Sequence, residues 1–378
     1  MATASLWQPP PFASAAPLGS LRGQGETQRT MTFRIGYVGY VPHQNFFDTC
    51  AADPALEVVR VPLEAEIGEA VQILSSCHGY YAMASRDELP RHLHVNEALL
   101  ARLPNLLMVA STGAGYDTCD PDACTAAGVA LVNQAGGNAE GVAEHALGLM
   151  LGCLKRVPEA HAAMKAGEAQ DRARLMGREL RGRVVGLVGC GHVGSRVAEI
   201  LRLAFGCEVL ACDPFLDAAT LAARGATKVG MEELLARADV VSLHCPLTPA
   251  TRGLIGRAQF AAMKKGVVFV TTARGSIHDE AALLEALEAG HVAAAGLDVW
   301  EVEPPPPGHP LLHHPAVMAS QHTAGVTQES RANITRIAAL AFGELAAGRM
   351  PPRIVNPEVK PRFAARVRQL RGAAPLEG

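Results

Sequence analysis

Three side chains of complementary chemistry stand just past apolar runs of the chain. Arg274 follows VVFVTTA, Glu303 follows GLDVW and His322 follows VMASQ. A guanidinium in such a place can grip a carboxylate through two parallel hydrogen bonds, and it stays charged at any working pH. An imidazole held by a single carboxylate is the usual way to move a proton near neutral pH, because the acid fixes the orientation of the ring. A histidine alone is more often structural, but here a carboxylate and an arginine occupy neighbouring strand ends. A further turn, Thr112, Gly113, Ala114, Gly115, Tyr116, Asp117, could offer backbone N–H groups as a small anion nest.

The stretch 183–214, RVVGLVGCGHVGSRVAEILRLAFGCEVLACDP, supplies the second component. Its apolar β-branched opening predicts a buried parallel strand, followed by Gly189, Gly191 and Gly194 in the spacing GxGxxG. The first glycine permits a tight turn, the second lets backbone approach a pyrophosphate and the third lets a helix pack close to its strand. A helix over residues 195–205 would turn its unpaired N–H groups toward the phosphates. Asp213 then ends a second strand, where an acid binds the adenosine ribose hydroxyls. A carboxylate there repels a ribose phosphate, so the coenzyme expected is NAD rather than NADP.

Elements must position these groups, and 378 residues suit two domains. With 49% apolar residues and a net charge of −3, the chain has the composition of an ordinary globular protein. No basic block points to nucleic acid, and no uninterrupted apolar run points to a membrane span. The partner expected is a small molecule. The nine cysteines include no CxxC pair and no histidine pair has the HExxH spacing, so no metal is implied and reduced thiols in the cytoplasm are expected.

Residues 1–30, rich in Pro, Ala, Ser and Gly, read as a disordered extension. The first strands are expected at FRIGYVGY, at LEVVRVP and around residues 80–84, with the segment 103–120 giving the last strand of the first domain before its glycine turn. A long helix over 138–156 opens the second domain, and a final helix over 328–347 leads the chain back over the first. Arg86 follows a strand of the first domain and is the candidate for an extra polar or anionic substrate contact, against a surface pairing with Asp87 or Glu88.

Taken together, GAGYD at Gly113, NAEGVAEH at Asn138, VGCGHVG at Val188, CPLTPATRGLI at Cys245, TTARG at Thr271, LDVWEVEP at Leu297 and QHTAG at Gln321 resemble the D-isomer-specific 2-hydroxyacid dehydrogenases. The resemblance implies an α/β fold in which a NAD-binding Rossmann domain, a doubly wound parallel sheet over residues 134–323, is inserted into a smaller flavodoxin-like substrate-binding domain. That smaller domain would comprise 31–133 and 324–356, with 357–378 as a C-terminal tail. It also implies that Arg274 binds the substrate carboxylate, that His322 is the general acid/base and that Glu303 is its partner. Ala114 and Gly115 would add backbone contacts to the substrate. Gly189, Gly191, His192, Val193, Gly194, Asp213, Cys245, Pro246, Thr251, Ala273, Asp298 and His322 would line the NAD. The activity implied is reversible hydride transfer between NADH and the keto carbon of a small 2-oxoacid, of the glyoxylate/hydroxypyruvate or 3-phosphohydroxypyruvate type, in a homodimer. An NADH-sensing corepressor on the same fold is the alternative. Two departures stand out: Ser320 and Gln321 replace a usual Thr-Pro pair, and no regulatory amino-acid-binding domain follows the last helix.

Overall fold

The computed structural model describes residues 32–168 and 172–372. The expected N-terminal extension lies outside the described residues. Two parallel sheets carry the fold, as expected for a flavodoxin-like unit followed by a Rossmann unit. The first has the order β2-β1-β3-β4-β5, from β1 (Phe33–Val38), β2 (Leu56–Val61), β3 (Gly79–Ala82), β4 (Met108–Ser111) and β5 (Ala130–Val132). β5 corrects the expectation that the strand before the glycine turn is the last of its sheet: β4 lies one place in from the edge. Ala-Leu-Val is too short to show a strand's alternation, which is why it escaped notice.

The second sheet has the order β12-β11-β10-β9-β6-β7-β8, from β6 (Val184–Val188), β7 (Glu208–Cys212), β8 (Thr227–Lys228), β9 (Val240–Leu243), β10 (Val267–Thr271), β11 (Val292–Leu297) and β12 (Val317–Ala319). The strand order reverses between β6 and β9, and in open α/β sheets ligands bind beyond the strand ends at such a point. Both faces are buried, and the side chains divide with the period of two that a strand imposes. Val185, Leu187, Val268 and Val270 pack with Leu147 and Met150 of the long helix Ala139–Leu154, while Val241, Leu243, Phe269 and Leu297 pack with Phe260 and Leu283.

The helix Gln328–Ala346 returns to the first sheet, where Phe342 meets Phe33, Phe46 and Tyr81 with ring centroids 6.3 to 6.4 Å apart. Gly79 makes room for it, since a Cβ there would come within 2.5 Å of the Phe342 ring. Two further expectations are corrected. The glycine-loop helix runs His192–Phe205, starting directly after Gly191 rather than at residue 195. The segment expected as a tail contains the helix Lys360–Arg371, because Phe363 and Val367, one turn apart, are buried beside the first sheet and Arg366 donates to the Leu106 carbonyl at 2.8 Å.

His278 is 3% exposed, its ring lies 5.4 Å from that of Phe269, and neither ring nitrogen has a partner among the described residues. Burial pushes its pKa down from 6.5 to about 4, with Asp279 opposing. The unfolded chain therefore binds a proton that the folded chain refuses between those values. The stability contributed by this histidine should be full above about pH 6.5 and fall by about 3 kcal/mol as pH drops toward 4. His244, whose pKa burial also lowers to about 4, adds a similar loss over the same range. Urea unfolding should show the combined loss, and His278→Phe should reduce it by about half while leaving the part due to His244.

Candidate active site

The C-terminal ends of both sheets open into one cleft of about 1390 Å³. His322 reaches it just past β12 with φ +50°, a left-handed conformation uncommon outside glycine. Its Nδ1 lies 2.8 Å from Oε2 of Glu303, whose Oε1 accepts the Trp300 N–H at 3.0 Å. Burial by itself would raise the Glu303 pKa. The hydrogen bond and charge of His322, the Trp300 N–H and the charge of Arg274 outweigh it and hold the carboxyl below its ordinary value, so Glu303 is the ionised partner at neutral pH.

Arg274, past β10, lines the same cleft but is already engaged. Its Nη2 and Nε lie 3.1 and 3.3 Å from Oδ2 of Asp117, and its Nη1 donates to the Ala273 carbonyl at 2.7 Å. Both terminal nitrogens keep donor capacity for a second anion. The guanidinium lies against Gly115, where any Cβ would overlap Nη2, so the glycine turn is shaped around the arginine. Asn133 donates to the Ala114 carbonyl at 2.8 Å, and Ser111 hydrogen-bonds the Gly115 carbonyl. Arg86 lines the cleft and pairs with neither Asp87 nor Glu88: its Nε donates to the Asp117 carbonyl at 2.9 Å.

The expected cofactor residues fall into two groups. His192, Val193, Cys245, Pro246, Ala273 and Asp298 line the cleft with His322, while Gly189, Gly191, Gly194, Asp213 and Thr251 do not. Thr251 braces the turn after β9 by donating to the Pro246 carbonyl at 2.6 Å. Gly189 has φ +90° and leaves no space for a Cβ beside Cys245. A Cβ on Gly194 would strike the Gly189 carbonyl, whereas Gly191 faces open space. Asp213 accepts the N–H groups of Cys190 and Phe215, each at 3.0 Å, which ties the acid to the glycine turn. Close packing at two glycines and an open backbone at the third fit a dinucleotide phosphate.

Several cleft residues were missed from the sequence, among them two with unpartnered polar atoms. His244 and Thr272 line it, and the His244 Nδ1 and Thr272 Oγ1 are buried with no partner among the described residues, as a site shaped for a polar ligand would leave them. Both follow apolar runs, the same signal that marked Arg274. Glu88 and Arg331 add an acid and a base to the cleft lining. Burial raises the Glu88 pKa, with Arg331 opposing.

Residues 147–324 match the family model for the NAD binding domain of D-isomer specific 2-hydroxyacid dehydrogenases. The chain is 41% identical over 290 residues to a D-3-phosphoglycerate dehydrogenase of Archaeoglobus fulgidus, covering 73% of this chain and 55% of that one. It is 38% identical over 267 residues to a glyoxylate reductase of Aeropyrum pernix, covering 69% and 79%. Among solved structures, the TT0316 protein from Thermus thermophilus superposes with a TM-score of 0.74 at 31% identity, covering 85% of this chain and all of that one. A glyoxylate reductase from Paecilomyes thermophila gives 0.77 at 28% identity, covering 86% and 99%. The protein is thus a two-sheet α/β protein with a Rossmann unit, and it belongs to the D-isomer specific 2-hydroxyacid dehydrogenase family. It spans about half the length of the phosphoglycerate dehydrogenases it matches.

A crystal structure of Gly115→Ala should show Arg274 displaced and its pair with Asp117 broken. An Arg274 left in place would contradict the packing described.

Proposed function

We propose that this chain is a NAD-dependent D-2-hydroxyacid dehydrogenase acting on a small 2-oxoacid. The observation that carries this reading is the His322 to Glu303 contact in the cleft that also holds Arg274. Arg274 grips the substrate carboxylate, and the glycine turn at Ala114 and Gly115 fits around it. The chemistry supplied by bound NAD(H) is hydride exchange at the substrate's C2. His322 gives a proton from Nε2 to the carbonyl oxygen in reduction and takes it back in oxidation, while Glu303 keeps Nδ1 engaged and the ring aimed. The helix His192–Phe205 and the glycine loop hold the pyrophosphate, and Asp213 the adenosine ribose. Convergence of acid, base and anchor supports turnover over a sensing role.

The substrate class is the glyoxylate/hydroxypyruvate type, with 3-phosphohydroxypyruvate second. Asp87 and Glu88 line the cleft together with Arg86 and Arg331, and such mixed charge suits a short uncharged end better than a phosphate dianion. The glyoxylate reductase of which the chain covers 79% agrees with this choice. The two functional halves are residues 31–133 with 324–356, and 134–323. The enzyme acts in the cytoplasm; no helix among the described residues is long and apolar enough to cross a membrane. It works as a homodimer joined near the helix Ala139–Leu154, as the exposed Val157, Met164 and Met176 beyond that helix suggest. Light scattering tests the dimer.

NADH oxidation with glyoxylate, hydroxypyruvate, pyruvate and 3-phosphohydroxypyruvate is the deciding experiment. NADH should be preferred to NADPH, and His322→Ala should bind NADH while losing about 10²–10⁴-fold in turnover. Equal use of NADPH would refute the Asp213 assignment, and an unchanged rate in His322→Ala would remove the histidine from the mechanism.

A further inference from the structure

We infer that His145 is a positioning residue, linked through the Ser320 hydroxyl to the buried Asp298 carboxylate and through it to the turn that carries His322. The inference rests on the proposed role of His322.

His145 projects from the helix Ala139–Leu154, and its side chain is 28% exposed. Its Nε2 lies 2.9 Å from Ser320 Oγ and 3.6 Å from Asp298 Oδ1. Ser320 donates its single hydroxyl proton to Asp298 Oδ1 at 2.6 Å. The serine oxygen is then an acceptor toward His145, which places the imidazole proton on Nε2. A continuous donor chain therefore runs from a partly exposed ring to a carboxylate with no exposure at all.

Asp298 is what the turn hangs on. Its carboxylate accepts the N–H groups of Thr323 and Ala324 at 2.9 and 3.0 Å, and its carbonyl accepts the N–H of His322 at 2.7 Å. Trp300 fixes the other side by donating from Nε1 to the Ser320 carbonyl at 3.0 Å. His322 holds a φ of +50° within this frame. A non-glycine residue keeps such a conformation only where its surroundings over-determine it. Without the His145 donor the Ser320 hydroxyl is free to rotate, Asp298 loses one of its fixed donors in a dry site, and the turn can relax.

This also gives meaning to serine at position 320. A hydroxyl there can accept from one neighbour and donate to another, which no apolar residue can do. The charged groups near His322 are Glu303, in direct contact, and Glu88, which feels its charge, with Arg274 acting on Glu303 and Arg331 on Glu88. The charged group that faces His145 is Asp298; the acids of its own helix, Glu140 and Glu144, stand five and one positions before it and so project from other faces, Glu140 paired with Arg196.

The test compares His145→Phe and Ser320→Ala with the conservative pair His145→Gln and Ser320→Thr, which retain a donor and a hydroxyl. Turnover, coenzyme binding and the NMR titration of the His322 ring are measured in each. His145→Phe and Ser320→Ala should lower kcat about 10-fold with the Kd for NADH unchanged. They should also move the His322 titration midpoint, while the conservative variants stay near wild type. Ser320→Ala removes one oxygen and guards against a His145→Phe protein that does not fold. An unmoved midpoint overturns the proposal, whether kcat is unchanged or falls equally in all four variants. The titration needs no turnover. A shifted midpoint in a protein that reduces none of the 2-oxoacids would refute the dehydrogenase reading and leave the linkage standing.

Discussion

A carboxylate with no exposure to solvent must find its donors inside the protein, and Asp298 is that carboxylate. It follows directly on β11, which lies between β10 and β12. Meeting its demand for hydrogen bonds folds residues 320–324 back across the strand ends and holds His322 in a conformation its own sequence disfavours. The neighbouring approach is equally tight. Gly275 packs so closely on the Trp300 carbonyl and the Glu301 N–H that no side chain would fit, which draws the end of β10, and Arg274 with it, toward Glu303.

The same compactness connects the two sheets. The helix Gln328–Ala346 starts six residues beyond His322 and plants Phe342 among the aromatic rings of the first sheet. Asn333 on that helix donates to the Gly137 carbonyl at 2.9 Å, just before the long helix that carries His145. The turn holding the proposed acid is thus gripped from both directions, by a polar network on the Rossmann side and by an aromatic core on the other.

Much of this was readable in the chain, and for a physical reason. Parallel strands buried on both faces appear as unbroken apolar runs, so VVFVT and VVGLV showed where strands end and which residues stand beyond them. Arg274, Glu303 and His322 could therefore be placed at one rim from their positions in the chain. What stayed hidden depends on contacts distant in sequence. The bond from Arg274 to Asp117 joins residues 157 apart, and the bond from His145 to Ser320 joins residues 175 apart. No local pattern encodes either. His145 reads as one more core position of an apolar helix, and the strand Ala130–Val132 is too brief to carry any periodicity.

The pair between Arg274 and Asp117 has a consequence for an arriving anion. The guanidinium is not a bare cation waiting for a counterion, because an internal competitor already holds one of its edges. An incoming acid gains less by docking there than it would at an unshared arginine, since it must settle beside a like charge. In the proposed reaction, substrate and product would accordingly be gripped less firmly and let go more readily than at an unshared arginine.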